Sequence, residues 1–195
     1  MPVRCLLLTT AAAAAVWMAT TPPAGAVSIT YTEETTGSGT LDGHVFTDAD
    51  VLLTASGDTA HITHPSSNLI RNAPVTGTVT VAGIGTDTFT VPVEVEQQND
   101  VAAAILQVGV GFILGTSTST HAFAGYGLAS SFGPIAGGSL DNLGHAFATS
   151  GGDFILSGTD RSATFDASAV PEPASVAVLI TGLIAVAARR SNPRS

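Results

Sequence analysis

The chain has 195 residues and a formal net charge of −9 at pH 7, and only 11% of its residues are charged. This length provides a single domain of ordinary size once terminal sorting segments are set aside. Residues 27–169 contain two arginines, no lysine and all but one of the 15 acidic residues. Such a surface repels phosphate backbones, which argues against nucleic acid as a partner.

The first 26 residues have the order of a secretion signal. Arg4 supplies the positive charge, residues 5–20 form an apolar stretch, and small residues follow at Ala24 and Ala26. A buried helix of the mature fold is the alternative, but the stretch has no polar face and Pro22-Pro23 lies just before the small residues. We therefore predict cleavage after Ala26.

Cleavage at this position changes what the mature protein contains. The only cysteine, Cys5, and the only tryptophan, Trp17, are both removed with the signal. The remaining chain then has no disulfide and no cysteine metal ligand, and no lipidation cysteine follows the cleavage site. The domain must be stabilised by its core, and about 143 residues are enough for one.

The residues between 27 and 169 have the pattern of β-strands. Val51, Leu53 and Ala55 alternate with more polar neighbours, which is the period-two pattern of a strand with one buried face. Turn signals rich in glycine separate such runs at intervals of roughly ten residues. We predict an all-β fold, specifically an antiparallel β-sandwich that is jelly-roll-like or immunoglobulin-like.

Three local predictions accompany this fold class. Alternation over 89–96, with Pro92 on the outer face, predicts an edge strand. Alternation over 108–114 predicts one continuous strand. Residues 98–107 are the one stretch that suits a helical turn or two, with Asn99 or Asp100 as the cap.

The last 26 residues combine prolines, an apolar run and arginines. Residues 174–188 are apolar on nearly all faces and would extend about 22 Å as a helix, short of the roughly 30 Å thickness of a bilayer core. Arginines after the run favour a cytoplasmic C-terminus, so the domain would lie on the outer side of the membrane. The residues that form this motif are Val170, Pro171, Glu172, Pro173, Arg189 and Arg190.

This order resembles the PEP-CTERM sorting signal of Gram-negative bacteria. The resemblance implies recognition by an exosortase, with processing near Pro171-Glu172-Pro173 and transfer to the cell surface or extracellular matrix. The implied partners are the exosortase, the secretion machinery and, transiently, the inner membrane. Extracellular polysaccharide is a further expected partner, because polarity supplied by Ser, Thr, Asn and Gly suits a polysaccharide-rich exterior. Two stretches of the domain, 29–59 and 81–90, also resemble ectodomains of PEP-CTERM proteins. That likeness implies a β-rich surface domain but no established activity.

The division of the chain follows from these features. Residues 1–26 are the predicted signal peptide, 27–169 the extracytoplasmic β-domain, and 170–195 the sorting signal with a transmembrane helix at 174–188. We expect a precursor held at the inner membrane with its domain in the periplasm.

A search for catalytic patterns favours a protein that is not an enzyme. No Gly-x-Ser-x-Gly elbow is present, since residues 137–141 lack the second glycine. A glycosidase would need paired carboxylates in a cleft with aromatic platforms, and no tryptophan remains after residue 26 to stack on a sugar ring. A secreted hydrolase is therefore the third-ranked hypothesis.

Metal binding is a more specific hypothesis than catalysis. His61 and His64 point to opposite faces if they lie in one extended strand, which argues against a shared ion. Calcium is the better candidate cofactor, because carboxylates in neighbouring glycine turns supply oxygen ligands. The candidate calcium ligands are Asp42, Asp48, Asp50 and Asp58.

The leading functional hypothesis is an exported structural or adhesive protein of the cell surface or extracellular polymeric matrix. A calcium- or carbohydrate-binding surface module is the alternative.

Overall fold

A computed structural model of the chain describes residues 26–170 with the exception of Val110. This part of the chain is all β, and apart from strands it contains one short 3-10 turn at Thr59–His61. The strands are β1 (Ser28–Leu41), β2 (His44–Asp58), β3 (Ile62–Ser66), β4 (Leu69–Val81), β5 (Gly85–Thr88), β6 (Val93–Gln98), β7 (Ala103–Val108), β8 (Gly111–Ser117), β9 (Phe132–Asp141), β10 (Ala146–Ala148), β11 (Asp153–Thr159) and β12 (Ser162–Val170).

Eight of these strands form a closed antiparallel barrel. Their order around the ring is β1-β12-β9-β8-β7-β6-β4-β2, and the pairing of β1 with β2 closes it. Every strand pairing of the described chain is antiparallel. Strands β3 and β5 extend the sheet beside β4, and the β10–β11 hairpin pairs with the distal half of β1.

The all-β antiparallel prediction is confirmed, but the two sheets of a sandwich are not what the chain forms. One continuous sheet closes on itself through β1, whose first half pairs with β12 on one side and β2 on the other. An inward-facing row of apolar residues suits a barrel and a sandwich equally, because both bury one face of each strand. Long-range pairing between strands determines whether a barrel or a sandwich forms.

The three local predictions were wrong. Residues 98–107 contain no helix; they span the end of β6, a turn and most of β7, and the buried Ala104 and Leu106 face the barrel interior. Residues 108–114 turn back at Gly109, which has φ +61°, so that β7 and β8 pair with each other. Strand β6 starts after Pro92 and is paired on both sides, and therefore is not an edge.

The two ends of the barrel are covered by different segments. Residues 118–131, which we call the capping segment, connect β8 to β9 and contribute the buried Phe123 and Leu128. The opposite end, which we call the hairpin end, carries the β1–β2 turn at Asp42-Gly43 and the β10–β11 hairpin. Both turn residues have positive φ, at 51° and 73°, as the tight turn of a two-residue hairpin requires.

The first and last strands lie side by side. Ser28 pairs with Val170, so both ends of the described chain leave the barrel at the capped end. Within residues 26–170, no helix is long and apolar enough to cross a membrane. The predicted helix at 174–188 lies outside the described residues.

Candidate functional site

The candidate site is a belt of polar side chains inside the barrel, beneath the capping segment. It begins on β1, where alternation points Ile29, Tyr31 and Glu33 into the interior and leaves Glu34 outside. Because side chains alternate strictly along a strand, a carboxyl group is placed among apolar neighbours. Glu33 is fully buried.

Strand register places the other members of the belt on the inner faces of β4, β6 and β8, and Thr116 contacts this carboxyl group. Gln97 of β6 pairs with Ala104 of β7, and Ala104 pairs with Thr116 of β8, so the three residues lie at one level of the barrel. Asn72 of β4 pairs with Val95, two residues before Gln97 on the same face. Asn72, Gln97 and Thr116 are all fully buried.

Hydrogen bonds connect the belt to the capping segment. The Tyr31 hydroxyl donates to the Leu128 carbonyl oxygen at 2.6 Å and accepts from Asn72 Nδ2 at 2.9 Å. Gln97 Nε2 donates to the Phe123 carbonyl oxygen at 3.2 Å. Two side chains of the barrel interior therefore hold the backbone of the capping segment in place.

Three buried side-chain oxygen atoms of the belt have no hydrogen-bond partner. They are Glu33 Oε1, Asn72 Oδ1 and Gln97 Oε1. Buried polar atoms of folded proteins are nearly always paired, and an unpaired acceptor costs about 1–3 kcal/mol. The belt thus has capacity to accept hydrogen bonds that the protein itself does not use.

Burial makes Glu33 an uncharged acid near neutral pH. Desolvation raises its pKa from 4.5 to about 8, although hydrogen bonds from the Thr116 side chain and backbone lower it. The Thr116 hydroxyl donates to Glu33 Oε2 at 2.6 Å. At pH 7 the carboxyl group is therefore mostly protonated, and it becomes a carboxylate only when something in the interior favours the charge.

Aromatic rings pack directly against the belt. Phe165 is the cross-strand neighbour of Glu33 on β12, and its ring meets Tyr31 at 6.3 Å and Phe123 at 5.6 Å between centroids. Tyr126 of the capping segment lies edge-on to Phe165 at 5.9 Å. Burial raises the pKa of Tyr31 to about 12 and that of Tyr126 further, so both phenols are neutral at pH 7.

The four aspartates predicted to bind calcium are not brought together. Asp42 occupies the β1–β2 turn, while Asp58 stands at the opposite end of the 15-residue β2. There Asp58 Oδ1 accepts from the backbone N–H of Ala60 at 2.7 Å and caps the 3-10 turn. Asp48 has a positive φ of +48°. Asp50 accepts a long hydrogen bond of 3.4 Å from Thr36 Oγ1.

The histidines are likewise separate. His61 lies in the 3-10 turn and His64 in β3, and His145 packs edge-on against Phe147 with 4.8 Å between ring centroids. Across residues 26–109 and 111–170, no group of three or more His, Cys, Asp or Glu side chains is arranged to hold a metal ion. Of the two predicted signal cleavage residues, Ala26 is the first described residue and Ala24 lies outside the described residues. The sorting motif also lies outside them, with the exception of Val170.

A surface groove of about 510 Å³ opens beside the end of β2. Val75, Phe89 and Val91 are among its apolar lining residues, and Asp58 and His61 are among its polar ones. Elsewhere on the surface Arg71 pairs with Glu94 at 3.2 Å and with the buried Glu96. The Arg71 guanidinium therefore lies against both carboxylates of β6, and we assign it a structural role.

The belt is not among the sites predicted from the sequence. The signal for Glu33 was present, because the spacing Ile29, Tyr31, Glu33 puts the carboxyl group on the apolar face of its strand. Gln97 had the same signal, because it follows Val93 and Val95 at the spacing of the inner face, whereas Asn72 had none, since its neighbours do not alternate and only the register of β4 brings it to Tyr31.

No protein-family model matches this chain, and neither a curated protein nor a solved structure shows significant similarity to it.

Proposed function

We propose that this protein is an exported cell-surface or extracellular-matrix component. It is sorted by an exosortase and is structural or adhesive rather than enzymatic. The observation that carries the proposal is a hydroxyl-rich outer face of the barrel, which suits contact with hydrated polysaccharide.

The hydroxyl face crosses four neighbouring strands in register. Thr32 of β1 pairs with Thr54 of β2, Thr54 pairs with Thr78 of β4, and Thr78 pairs with Thr88 of β5. Since neighbouring strands lie about 4.8 Å apart, these side chains form a regular row of hydroxyl groups. A second row runs parallel to the first through Thr30, Ser56 and Thr76.

Uncharged hydroxyls suit an acidic protein in a polysaccharide matrix. Each donates and accepts hydrogen bonds, as sugar hydroxyls do, and none adds charge to a chain of net charge −9. All the residues of the two rows are half-buried or exposed. Many weak, water-compatible contacts over a broad face favour adhesion over tight recognition of one sugar.

The position of the chain ends is consistent with the sorting proposal. The described strands run from Ser28 to Val170, between the predicted signal peptide and the part of the predicted sorting signal that follows Val170. Removal of both segments would leave the paired strands intact. Ser28 and Val170 lie side by side at the capped end of the barrel.

Sorting is tested by comparing a strain that has its exosortase with one that lacks it. We expect the mature protein on the surface or in the matrix only when the exosortase is present, with a C-terminal mass that places cleavage near Pro171-Glu172-Pro173. Identical distribution and identical C-terminal mass in both strains would refute exosortase sorting.

Adhesion is tested on the hydroxyl face itself. Replacing Thr32, Thr54 and Thr78 with valine keeps the shape and removes three hydroxyls from one row. We expect reduced co-sedimentation with purified extracellular polysaccharide and an unchanged circular dichroism spectrum. The matched control replaces exposed hydroxyls elsewhere, with Ser67→Ala, Ser119→Ala and Thr120→Val. Equal co-sedimentation of the two variants with the polysaccharide would show that the hydroxyl face is not adhesive.

A further inference from the structure

We propose that the polar belt beneath the capping segment is a binding site for a small organic cation carrying a primary ammonium group. Adhesion of the outer face and binding inside the barrel are separate properties, so this inference stands independently of the function proposed above.

The acceptors of the belt match an ammonium group in number and kind. Glu33 Oε1, Asn72 Oδ1 and Gln97 Oε1 are buried and unpartnered; once Glu33 has lost its proton all three are acceptors, and a primary ammonium group has three N–H donors. One of the three acceptors belongs to a carboxyl group, which supplies the counter-charge that a cation in a dry interior requires.

The aromatic rings add a second feature that favours a cation. Phe165 faces the same interior as Glu33 across the β1–β12 pair, with the rings of Tyr31 and Phe123 against it. Ring faces attract ammonium groups, more strongly when water is excluded, and all three rings are completely buried. A carboxyl group beside buried rings therefore selects a cation over a neutral or anionic ligand.

The capping segment provides the route of entry. It covers the belt and is held there by the two hydrogen bonds from Tyr31 and Gln97 to its carbonyl oxygens. Both bonds end on backbone atoms of a connection without regular strand pairing. An eight-stranded barrel is wide enough inside to hold side chains or one small ligand, so the site is limited to molecules of a few non-hydrogen atoms.

Binding would be coupled to release of a proton. The Glu33 carboxyl group is mostly protonated at pH 7 because burial raises its pKa to about 8, while the phenols of Tyr31 and Tyr126, which share this interior, are neutral. The ammonium group pairs with the carboxylate form, so the carboxyl proton leaves to solvent when the cation enters. Affinity should therefore rise with pH from 6 to 8.

The test uses the purified full-length chain with ethylammonium chloride as the probe. Isothermal titration calorimetry at pH 7, in two buffers of different ionisation enthalpy, should show binding with release of up to one proton. Tetramethylammonium has the same charge but no N–H donor and should bind about tenfold more weakly or worse, which is the loss expected for charge-assisted hydrogen bonds. Sodium chloride is the control for ionic strength.

Two variants separate the site from a general charge effect. Glu33→Gln keeps the shape of the side chain, and should lose proton release and at least about tenfold of the affinity for ethylammonium while its melting temperature is equal or higher. Glu34→Gln, on the outer face of the same strand, should bind like the unaltered chain. Should Glu33→Gln not fold, Gln97→Leu replaces it in the same titration.

Three outcomes would overturn the proposal. They are no heat and no stabilisation with ethylammonium, equal binding by the Glu33→Gln and unaltered chains, and a high-resolution structure in ethylammonium that shows only water against the three acceptors.

Discussion

The capped end of the barrel buries polar side chains among aromatic rings, whereas the hairpin end is closed by apolar packing. At the hairpin end Phe46 and Phe154 stack with centroids 6.4 Å apart, and Leu41 and Phe147 are buried around them. Gly39 lets β11 approach there, because a Cβ at this position would clash with the Ile155 carbonyl oxygen. At the capped end Glu33, Asn72 and Gln97 occupy equally buried positions.

This difference indicates that the two ends serve different purposes. Apolar burial stabilises the hairpin end at no electrostatic cost, while each unpaired acceptor at the capped end lowers the stability of the fold. Sites that bind ligands commonly retain such unfavourable groups. Changes at the hairpin end should therefore lower the free energy of unfolding, and replacing the buried acid Glu33 at the capped end should raise it.

The largest effect is expected at the hairpin end. Phe154→Ala removes a completely buried ring and leaves a cavity, so we expect a loss of about 3–5 kcal/mol in the free energy of unfolding. Urea denaturation followed by circular dichroism measures it. Val45→Ala, at a side chain that is 73% exposed, is the control and should change stability by less than about 0.5 kcal/mol. A small loss in Phe154→Ala would show that this end is not a principal source of stability.

Replacing the buried acid should act in the opposite direction. The native chain keeps the Glu33 proton up to a pKa of about 8, whereas the unfolded chain loses it near 4.5, so stability falls as pH rises between these values. Glu33→Gln removes this term and should stabilise the protein by on the order of 2–3 kcal/mol at pH 7 and by little at pH 4. Thermal unfolding at both pH values, with Glu34→Gln as the control, checks the sign. A Glu33→Gln variant that is less stable at pH 7 would contradict it.

A smaller and more local effect is expected at the attachment of the capping segment. Tyr31→Phe removes the hydroxyl that donates to the Leu128 carbonyl oxygen and accepts from Asn72, which should cost about 1–3 kcal/mol. Amide hydrogen exchange should quicken in residues 118–131 and not at the β10–β11 hairpin. Uniformly faster exchange would mean that the segment opens only with the whole barrel.

The smallest effect concerns the β1–β2 turn. Gly43 has φ +73°, so Gly43→Ala should cost about 1 kcal/mol through backbone strain, although nothing lies within 4 Å of the added methyl group. Gly127→Ala, at a glycine that also has open space around it but lacks a positive φ, is the matched control. Differential scanning calorimetry should show a lower melting temperature for the first variant only; equal melting temperatures would mean that the turn tolerates the strain.

Part of the fold and little of the site could be predicted from the sequence. The strand at 49–55 was predicted correctly, because Val51, Leu53 and Ala55 form a clean alternating face. Residues 98–107 were misread as helical because Ala102, Ala103 and Ala104 are good helix formers, but pairing with β6 and β8 overrides that local preference. The calcium ligands were grouped by their neighbourhood in sequence, and an extended β2 separates them.

The sequence by itself determined that this is an acidic all-β domain with alternating strands, because side-chain periodicity and turn residues act over a few residues. It also carries the predicted export signals at its two ends, which remain predictions. Only the tertiary structure decided that the sheet closes into a barrel, that Thr116 contacts Glu33 inside it, and that Asn72 and Gln97 are buried on its inner face. These residues come from four strands, and their placement depends on long-range register, which no local pattern specifies.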